Sequence, residues 1–329
     1  MCLALAAGSG GASAGVLEDI RARGKLRCGV NVGLAGFAVK GEKGDWRGLD
    51  IDICRAVAAT ALGDPEKAKF KDIPVRDSLS ALKSGEIDLL TRNLAWTMGR
   101  ETLFGLRFAG VVFHDGQGFL VRKKLGIVSA LELSGATVCV QSGTTATANT
   151  AEFFRSRQMK HELVPFAGPE EVLQAYEAGR CQAVAADITQ LSAMRLRLSR
   201  PDEHMALPEI ISKEPLGPVV MQGDEQWANL VKWTIYALIN AEELGVTAAN
   251  AEAMRKSPNP DIRRLLGTEG NFGEGLGLDQ DWAYRAIRAV GNYGEIYERN
   301  LGAGSPLNVP RGVNKLWNRG GILYAPPIR

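Results

Sequence analysis

The spacing of apolar and polar residues predicts strands that alternate with helices along most of the chain. Short apolar runs, typical of buried strands, are followed by segments with apolar residues at helical spacing. In the first part of the chain the predicted strands are 26–32, 70–75 and 87–90, and the helices between them begin near residues 50 and 77. Strands that alternate with helices indicate a parallel, doubly wound sheet.

The same alternation begins again after residue 130, with predicted strands over 136–141, 162–166 and 181–186. Two extended segments separate this region from the rest of the chain: the glycine-punctuated run Asp115-Gly116-Gln117-Gly118 and the proline-bearing run 209–220. We interpret both segments as crossovers between two lobes. Taken alone, the first run fits a β-bulge or a hairpin nearly as well.

The last third of the chain is predicted to return to the first lobe. An amphipathic helix covers 227–244, and the tail from Ser257 is rich in glycine and aromatic residues, with one helix over 282–301. Because its apolar residues are too sparse for a separate core, we expect this tail to wrap lobe 1. The predicted domains are therefore 15–118 with 215–329 for lobe 1, and 119–214 for lobe 2.

The turn after the third strand carries a candidate anion site. Thr97 is a good helix N-cap, and Arg100 follows at the third helical position. Free N–H groups at a helix start favour an anion, and a guanidinium binds a carboxylate through two parallel hydrogen bonds. Ligands of such sheets collect at the C-terminal strand ends, where Asn31, Phe37 and the turn from Asn93 to Arg100 fall. On this stretch alone, a capped helix with a solvated Arg100 is the alternative.

Lobe 2 offers a complementary set of groups. Thr144 and Thr145 begin a helix, and Asp187 ends a strand as a lone carboxylate, although all three residues can equally be helix caps. Together with Arg100 they match a zwitterion, which needs donors for its carboxylate and an acceptor for its ammonium group. A phosphate fits less well because Asp187 would repel it, and the chain has no phosphate-binding glycine motif.

Composition narrows the class of protein. The 329 residues are 45% apolar and 23% charged, which is ordinary for a globular chain able to fill more than one core. A net charge of +2 without a basic run argues against nucleic acid as a partner. With three histidines and no Cys-x-x-Cys pair, the sequence predicts neither a metal site nor a cofactor.

Residues 1–14 differ from everything that follows. They are small and mostly apolar, and Ala12-Ser13-Ala14 has the form of a signal peptidase site, with cleavage expected before Gly15. We interpret them as a residual signal peptide. A charged n-region is missing, so a disordered cytosolic tail is the alternative.

The cysteines agree with export. Beyond Cys2 the chain has four cysteines, and an even number in an exported chain suggests disulfides, for which four cysteines allow three pairings. Buried free thiols are the alternative. The four are Cys28, Cys54, Cys139 and Cys181.

A series of motifs occurs along the chain in a characteristic order. They are Lys25-Leu26-Arg27-Cys28-Gly29-Val30, Gly48-Leu49-Asp50-Ile51-Asp52, Thr91-Arg92-Asn93 with Trp96-Thr97 and Arg100, Asp115-Gly116-Gln117-Gly118-Phe119, Gly143-Thr144-Thr145, Gly179-Arg180-Cys181 and Trp317-Asn318-Arg319-Gly320-Gly321. Over residues 16–329 the chain resembles periplasmic amino-acid-binding proteins, more narrowly the general (polar) L-amino-acid-binding subunits of ABC importers. The resemblance implies a two-lobed periplasmic-binding-protein-like fold of type II, with two doubly wound sheets joined by two crossovers.

The resemblance also implies a role for the candidate site residues, in a periplasmic protein that closes over a free L-amino acid and delivers it to a membrane permease. The implied roles are carboxylate binding by Arg100, hydroxyl and N–H donation by Thr145, ammonium binding by Asp187 and by the carbonyl of Asn93, and side-chain contacts by Asn31 and Phe37. With the strand order, the resemblance implies disulfides within lobes, Cys28 with Cys54 and Cys139 with Cys181. We expect a monomer.

Ala95 departs from the pattern of this family, which usually has Ser or Thr five residues before the arginine. The missing hydroxyl removes a charge-assisted hydrogen bond to the carboxylate, at a cost of about 1.5–3 kcal/mol or roughly ten- to a hundredfold in affinity. We therefore predict weaker binding or a shifted ligand. Arg92 reaching an acidic side chain, or Asn31 an amide, would favour Glu, Asp, Gln or Asn, but Arg92 is equally a candidate surface residue.

Two other functions share this architecture. A secreted dehydratase or lyase would use Glu101 and Asp187 as its acid and base, although no motif places a second carboxylate or a histidine beside Asp187. A ligand-sensing partner of a receptor would bind the same ligand, and the sequence does not separate it from a transport protein. We take capture for transport, without catalysis, as the leading interpretation.

Overall fold

The computed structural model describes residues 15–31 and 33–329; residues 1–14, with the predicted signal peptide and Cys2, lie outside this range. The helices in the described ranges are α1 Val16–Arg23, α2 Leu49–Leu62, α3 Ser78–Lys83, α4 Met98–Phe104, α5 Thr145–Ser156, α6 Pro169–Glu177, α7 Ile188–Arg197, α8 Glu225–Glu243, α9 Ala251–Met254, α10 Pro260–Leu265, α11 Trp282–Val290 and α12 Tyr293–Asn300. Among these helices, none has the length and apolar character needed to cross a membrane.

The strands form two five-stranded sheets and two small ribbons. They are β1 Leu26–Val30, β2 Val39–Lys40, β3 Trp46–Arg47, β4 Ala68–Asp72, β5 Leu89–Leu90, β6 Leu106–Phe108, β7 Phe113–Asp115, β8 Gln117–Arg122, β9 Ala136–Gln141, β10 His161–Phe166, β11 Ala183–Asp187, β12 His204–Ala206, β13 Glu214–Leu216 and β14 Val219–Met221.

Sheet 1 has the order β4-β1-β5-β14-β6, and sheet 2 has the order β10-β9-β11-β8-β12. In sheet 1, β1 pairs in parallel with β4 and β5, whereas β14 runs antiparallel to its neighbours. In sheet 2, β9 pairs in parallel with β10 and β11, whereas β8 is antiparallel. The predicted α/β class is confirmed. Each sheet is mixed rather than purely parallel, because β8 and β14 enter it directly from a crossover.

The two crossovers form a ribbon between the sheets. Strands β7 and β13 pair antiparallel, with His114 opposite Pro215. From this ribbon the chain enters sheet 2 through β8 and returns to sheet 1 through β14. The alternative of a hairpin in the Asp115-Gly116-Gln117-Gly118 run is wrong, because β7 and β8 pair with different partners.

The core of sheet 1 combines residues from both ends of the chain. Helix α2 is buried along most of its length because α11 and α8 cover the side that faces away from the sheet. Tail residues such as Ile287, Tyr297 and Leu323 belong to the same apolar cluster as Leu26 and Ile51. The clusters on the two faces of sheet 2 contain only residues between 119 and 207. We call sheet 1 with its helices and the C-terminal tail the first unit, and sheet 2 with its helices the second unit.

Two predicted elements differ from the structure. The single helix over 282–301 is two helices, because Gly291 adopts a φ of +81° and Asn292 starts α12 with a capping box to Glu295. The strand predicted over 70–75 lies instead at Ala68–Asp72. Its end is displaced because Pro74 opens a 3₁₀ turn that contains Val75.

Each disulfide lies within a single unit, as predicted. Cys28 on β1 is bonded to Cys54 on α2, with their Cα atoms 6.5 Å apart. Cys139 on β9 is bonded to Cys181, just before β11, with a Cα separation of 5.7 Å. Neither bond joins the first unit to the second, so neither restrains a relative movement of the two units. The alternative of buried free thiols does not hold for these four residues.

Candidate functional site

A cavity lies between the C-terminal strand ends of the two sheets. The first unit contributes Asn31, Val75, Arg92, Asn93, Leu94, Ala95 and Arg100 to its lining, and the second unit with the crossovers contributes Gln117, Gln141, Thr144, Thr145, Ala146, Ala185, Ala186, Asp187, Gln190 and Glu214. Of the eight residues predicted to bind a ligand, all but Phe37 line this one cavity.

Arg100 is placed by the predicted helix start. Thr97 caps α4 by accepting a hydrogen bond from the Arg100 N–H at 3.3 Å, which fixes the first turn. The guanidinium folds back and donates through Nη1 to the Ala95 carbonyl at 2.8 Å. Burial lowers the pKa of Arg100, whereas the negative charges of Glu214 and Asp187 raise it. Arg100 is therefore a half-buried cation whose charge faces two carboxylates across the cavity.

Ala95 forms an isolated antiparallel bridge with Leu216, and the hydrogen bonds of this bridge are made by the residues on either side. The Trp96 N–H donates to Pro215 O at 2.8 Å, and the Gly217 N–H donates to Leu94 O at 3.2 Å. The Ala95 N–H takes no part in this pair of bonds, and no acceptor for it is found among the described residues. The backbone donor expected at this position is thus retained, although the side chain supplies no hydroxyl.

Thr144 and Thr145 make different hydrogen bonds at the start of α5. Thr144 is the N-cap: its hydroxyl donates to Gln141 O at 2.8 Å and accepts from the Ala146 N–H at 3.3 Å. Thr145 donates its hydroxyl to Glu214 at 3.0 Å and accepts from the Gln117 amide at 2.8 Å. Both hydroxyls and the Ala146 N–H are engaged within the protein, so the free donors at this helix start are its other backbone N–H groups, including that of Thr145.

Gln117 and Glu214 are buried polar residues that the sequence analysis did not assign to the site. Gln117 Nε2 donates to both Thr145 and, at 3.0 Å, Asp187, while its Oε1 accepts from Asn149 at 2.8 Å. Glu214 closes a ring by accepting from Asn149 at 2.8 Å as well as from Thr145. One signal was visible: Gln117 and Glu214 lie in the two segments that the sequence analysis interprets as crossovers.

Asp187 has more acidic neighbours than predicted. Burial raises the pKa of its carboxyl, and the nearby charges of Asp115 and Glu214 raise it further, against the Gln117 amide that favours the ionised form. The prediction of a lone carboxylate is therefore wrong, because the crossovers bring the carboxylates of Asp115 and Glu214 near Asp187. Asp187 makes no cap to α7, so its side chain is not used in that alternative role.

Asn93 and Asn31 form the edge of the cavity in the first unit. Asn93 adopts a φ of +48°, a left-handed conformation that Asn tolerates better than most residues. Its N–H donates to the buried Asp50 carboxylate at 3.0 Å, and its side-chain oxygen accepts from Asn31 at 3.1 Å. These bonds fix the turn that leads from β5 to Ala95.

Arg92 also lines the cavity, and it is not a surface residue: only 6% of it is exposed. Burial lowers the pKa of its guanidinium to about 10, although the charge of Asp50 acts in the opposite direction. Arg92 is therefore protonated at neutral pH and forms a second cation near Arg100.

Two candidates lie away from the cavity lining. Phe37 is 1% exposed and packs its ring edge-on against Phe113, with centroids 5.7 Å apart, because the loop after β1 turns into the core. Glu101, the candidate acid of the enzyme alternative, accepts a hydrogen bond from the Trp96 indole at 2.8 Å and is not part of the lining. Within the described ranges, no group of three or more His, Cys, Asp or Glu residues could hold a metal ion.

Comparison with known proteins gives consistent matches over nearly the whole chain. The general L-amino acid-binding periplasmic protein AapJ of Rhizobium johnstonii is 54% identical over 327 residues, 99% of this chain and 96% of that protein. The glutamate/glutamine/aspartate/asparagine-binding protein BztA of Rhodobacter capsulatus is 49% identical over 322 residues, covering 98% of this chain and 95% of that protein.

A solved structure agrees with these sequence matches. The periplasmic binding protein from Brucella ovis with glutathione bound superposes with a TM-score of 0.94 at 53% identity, covering 96% of this chain and 100% of that one. A family model matches residues 26–249. The resemblance noted in the sequence is confirmed, and the chain belongs to the bacterial extracellular solute-binding proteins, family 3.

Proposed function

We propose that this protein captures a free L-amino acid in the periplasm and delivers it to the permease of an ABC importer. The observation that carries the proposal is the position of Arg100 and Asp187, which approach one cavity from different units. An α-amino acid is a zwitterion, and it needs a cation and an anion at opposite ends of its site. The names of the relatives AapJ and BztA agree with this function.

The ligand carboxylate is bound by Arg100, the Ala95 N–H and the N–H groups at the start of α5, which include that of Thr145. The ligand ammonium is bound by Asp187 and the Asn93 carbonyl. The closing lobes are 15–118 with 215–329, and 119–214. Binding that is tighter in the closed than in the open form drives closure.

The ligand class follows from the cavity and from the relatives. BztA is named for glutamate, glutamine, aspartate and asparagine, and the Brucella ovis protein holds glutathione. We propose that this chain binds the polar amino acids Glu, Asp, Gln or Asn. The glutathione bound in the Brucella ovis structure makes a small γ-glutamyl peptide a second candidate ligand. Asn31 contacts the side chain of the ligand.

The direct test is a thermal-shift screen of ligand-free protein against the twenty L-amino acids and glutathione, followed by calorimetry. A ligand at a hundred times its Kd stabilises the folded state by about 2.7 kcal/mol. The D-enantiomer of each hit is the matched control, since it presents the same charges in the wrong arrangement. If no L-amino acid raises the melting temperature, the proposal is wrong.

The proposed activity is binding without chemistry. The Asp187 carboxyl resembles a general acid in its raised pKa, but ammonium binding uses the same group. We expect the ligand to be recovered unchanged after long incubation with the protein. Formation of a deaminated or dehydrated product, detected by mass spectrometry, would favour the dehydratase or lyase instead.

A further inference from the structure

Arg92 is a buried cation with an unpaired N–H group. Its Nε atom is buried and has no hydrogen-bond partner among the described residues. A guanidinium carries five N–H donors, and a buried donor that is left unpaired costs free energy. The native fold retains this side chain at the wall of the ligand cavity.

The charges around Arg92 do not satisfy it. Asp50 is a nearby carboxylate, but it accepts the Asn93 N–H, and burial raises its pKa to about 7, so it is only partly ionised at neutral pH. Asp72, at the end of β4, also acts on Arg92 through its charge. The like charge of Arg100, which lines the same cavity, repels that of Arg92. An anion bound near both guanidinium groups would relieve that repulsion and could pair the free Nε–H of Arg92.

We propose that Arg92 binds a second carboxylate of the ligand, so that this site prefers a dicarboxylic ligand to its amide. The proposal rests on the function proposed above, in which Arg100 and the helix N–H groups bind the α-carboxylate. The second carboxylate belongs either to the side chain of a free acidic amino acid or to the C-terminus of a γ-glutamyl peptide. Both sources present the same chemistry to the guanidinium.

The test compares ligands that differ only in this group. Affinities for glutamate and glutamine are measured by calorimetry, and those for reduced glutathione and its C-terminal amide are measured in parallel. In Arg92→Gln we expect the affinity for the dicarboxylic member of the preferred pair to fall about ten- to a hundredfold, the effect of one charge-assisted interaction. The affinity for the amide should change by less than about threefold, since the amide lacks the negative charge that Arg92 is proposed to bind. The pair that responds identifies the source of the carboxylate.

Two further variants separate recognition from folding. Arg92→Lys keeps the charge and should restore part of the preference for the carboxylate. Asp50→Asn removes the opposing charge while keeping an acceptor for the Asn93 N–H, and should increase the preference. Arg76→Gln is the matched control, because Arg76 is an exposed arginine paired with Asp77 whose loss changes the net charge equally. Its ligand preference should equal that of the wild type.

The outcomes are distinct. If Arg92→Gln lowers the affinity for acid and amide in parallel, or changes neither, Arg92 does not read the second carboxylate and the inference is wrong, while the amino-acid site stands. If the wild-type protein binds none of these ligands and no other amino acid, the proposed function falls and the inference falls with it. Melting temperatures of the ligand-free variants identify any loss that reflects folding alone.

Discussion

The two walls of the cavity are held in different ways. In the wall of the second unit, Gln117, Thr145 and Asn149 form a closed ring of hydrogen bonds with Glu214 of the crossover. In the wall of the first unit, the Nε–H of Arg92 has no hydrogen-bond partner among the described residues. One wall is therefore organised before a ligand arrives, and we propose that the ligand completes the other. A preorganised wall saves ordering entropy, whereas an unsatisfied one discriminates between ligands.

The largest effect is expected at Arg100. Replacing it with Gln removes the cation proposed to bind the α-carboxylate, and losing one partner of a buried charge pair costs about 2–5 kcal/mol. Calorimetry should show affinity reduced by at least about thirtyfold for every amino acid that the wild type binds. Arg107→Gln is the control, since Arg107 forms an exposed ion pair with Glu225. An Arg100→Gln variant that still binds at wild-type affinity would place the carboxylate elsewhere.

Ala95→Thr tests the incomplete first wall in the opposite direction. The added hydroxyl is expected to donate a hydrogen bond to the ligand carboxylate. We expect the binding free energy to improve by about 1.5–3 kcal/mol, or ten- to a hundredfold in affinity. Ala95→Val has a similar shape without the hydroxyl and should show no such gain. Unchanged calorimetric affinity of Ala95→Thr for every common amino acid would show that the hydroxyl is not needed here.

Glu214→Gln tests the preorganised wall. Glu214 accepts hydrogen bonds from Thr145, Asn149 and Ser212, and an amide nitrogen in place of one oxygen would face a donor. We expect ligand-free protein to lose about 1–3 kcal/mol of stability, seen as a melting temperature lower by several degrees. Glu225→Gln, at an exposed position, is the control. A variant with unchanged stability would mean that the ring contributes little before ligand binding.

The smallest effect is a pH dependence from Asp187. Its pKa is raised in the folded protein from its ordinary value near 3.9 to about 8. Between these two pH values the empty site holds a proton that an ammonium group must displace. Affinity should therefore rise with pH, by at most about tenfold per unit, whereas the contribution of this group to the stability of empty protein falls. Calorimetry in buffers of different ionisation enthalpy would detect the released proton. The dependence should be lost in Asp187→Asn, and equal slopes for both proteins would assign it to another group.

Local features were predictable from the sequence, and long-range networks were not. The Thr97 cap and the third helical position of Arg100 depend on residues within one turn. The ring around Gln117 and Glu214 joins positions 97 residues apart, and only the pairing of β7 with β13 brings them together. The helix break at Gly291 could have been predicted, since Asn292 and Glu295 have capping-box spacing. The burial of Phe37 could not, because it depends on Phe113 from the crossover.

The split core of the first unit has a consequence for the order of folding during export. A chain that crosses the membrane from its N-terminus presents residues 119–207, which build both apolar clusters of sheet 2, before the tail has emerged. Sheet 1 cannot complete its core until Leu323 and Ala325 have arrived. The second unit can therefore fold while translocation continues, whereas the first waits for the last few residues. Truncation at the C-terminus would damage the unit that contains Arg100, although the lost residues do not line its cavity.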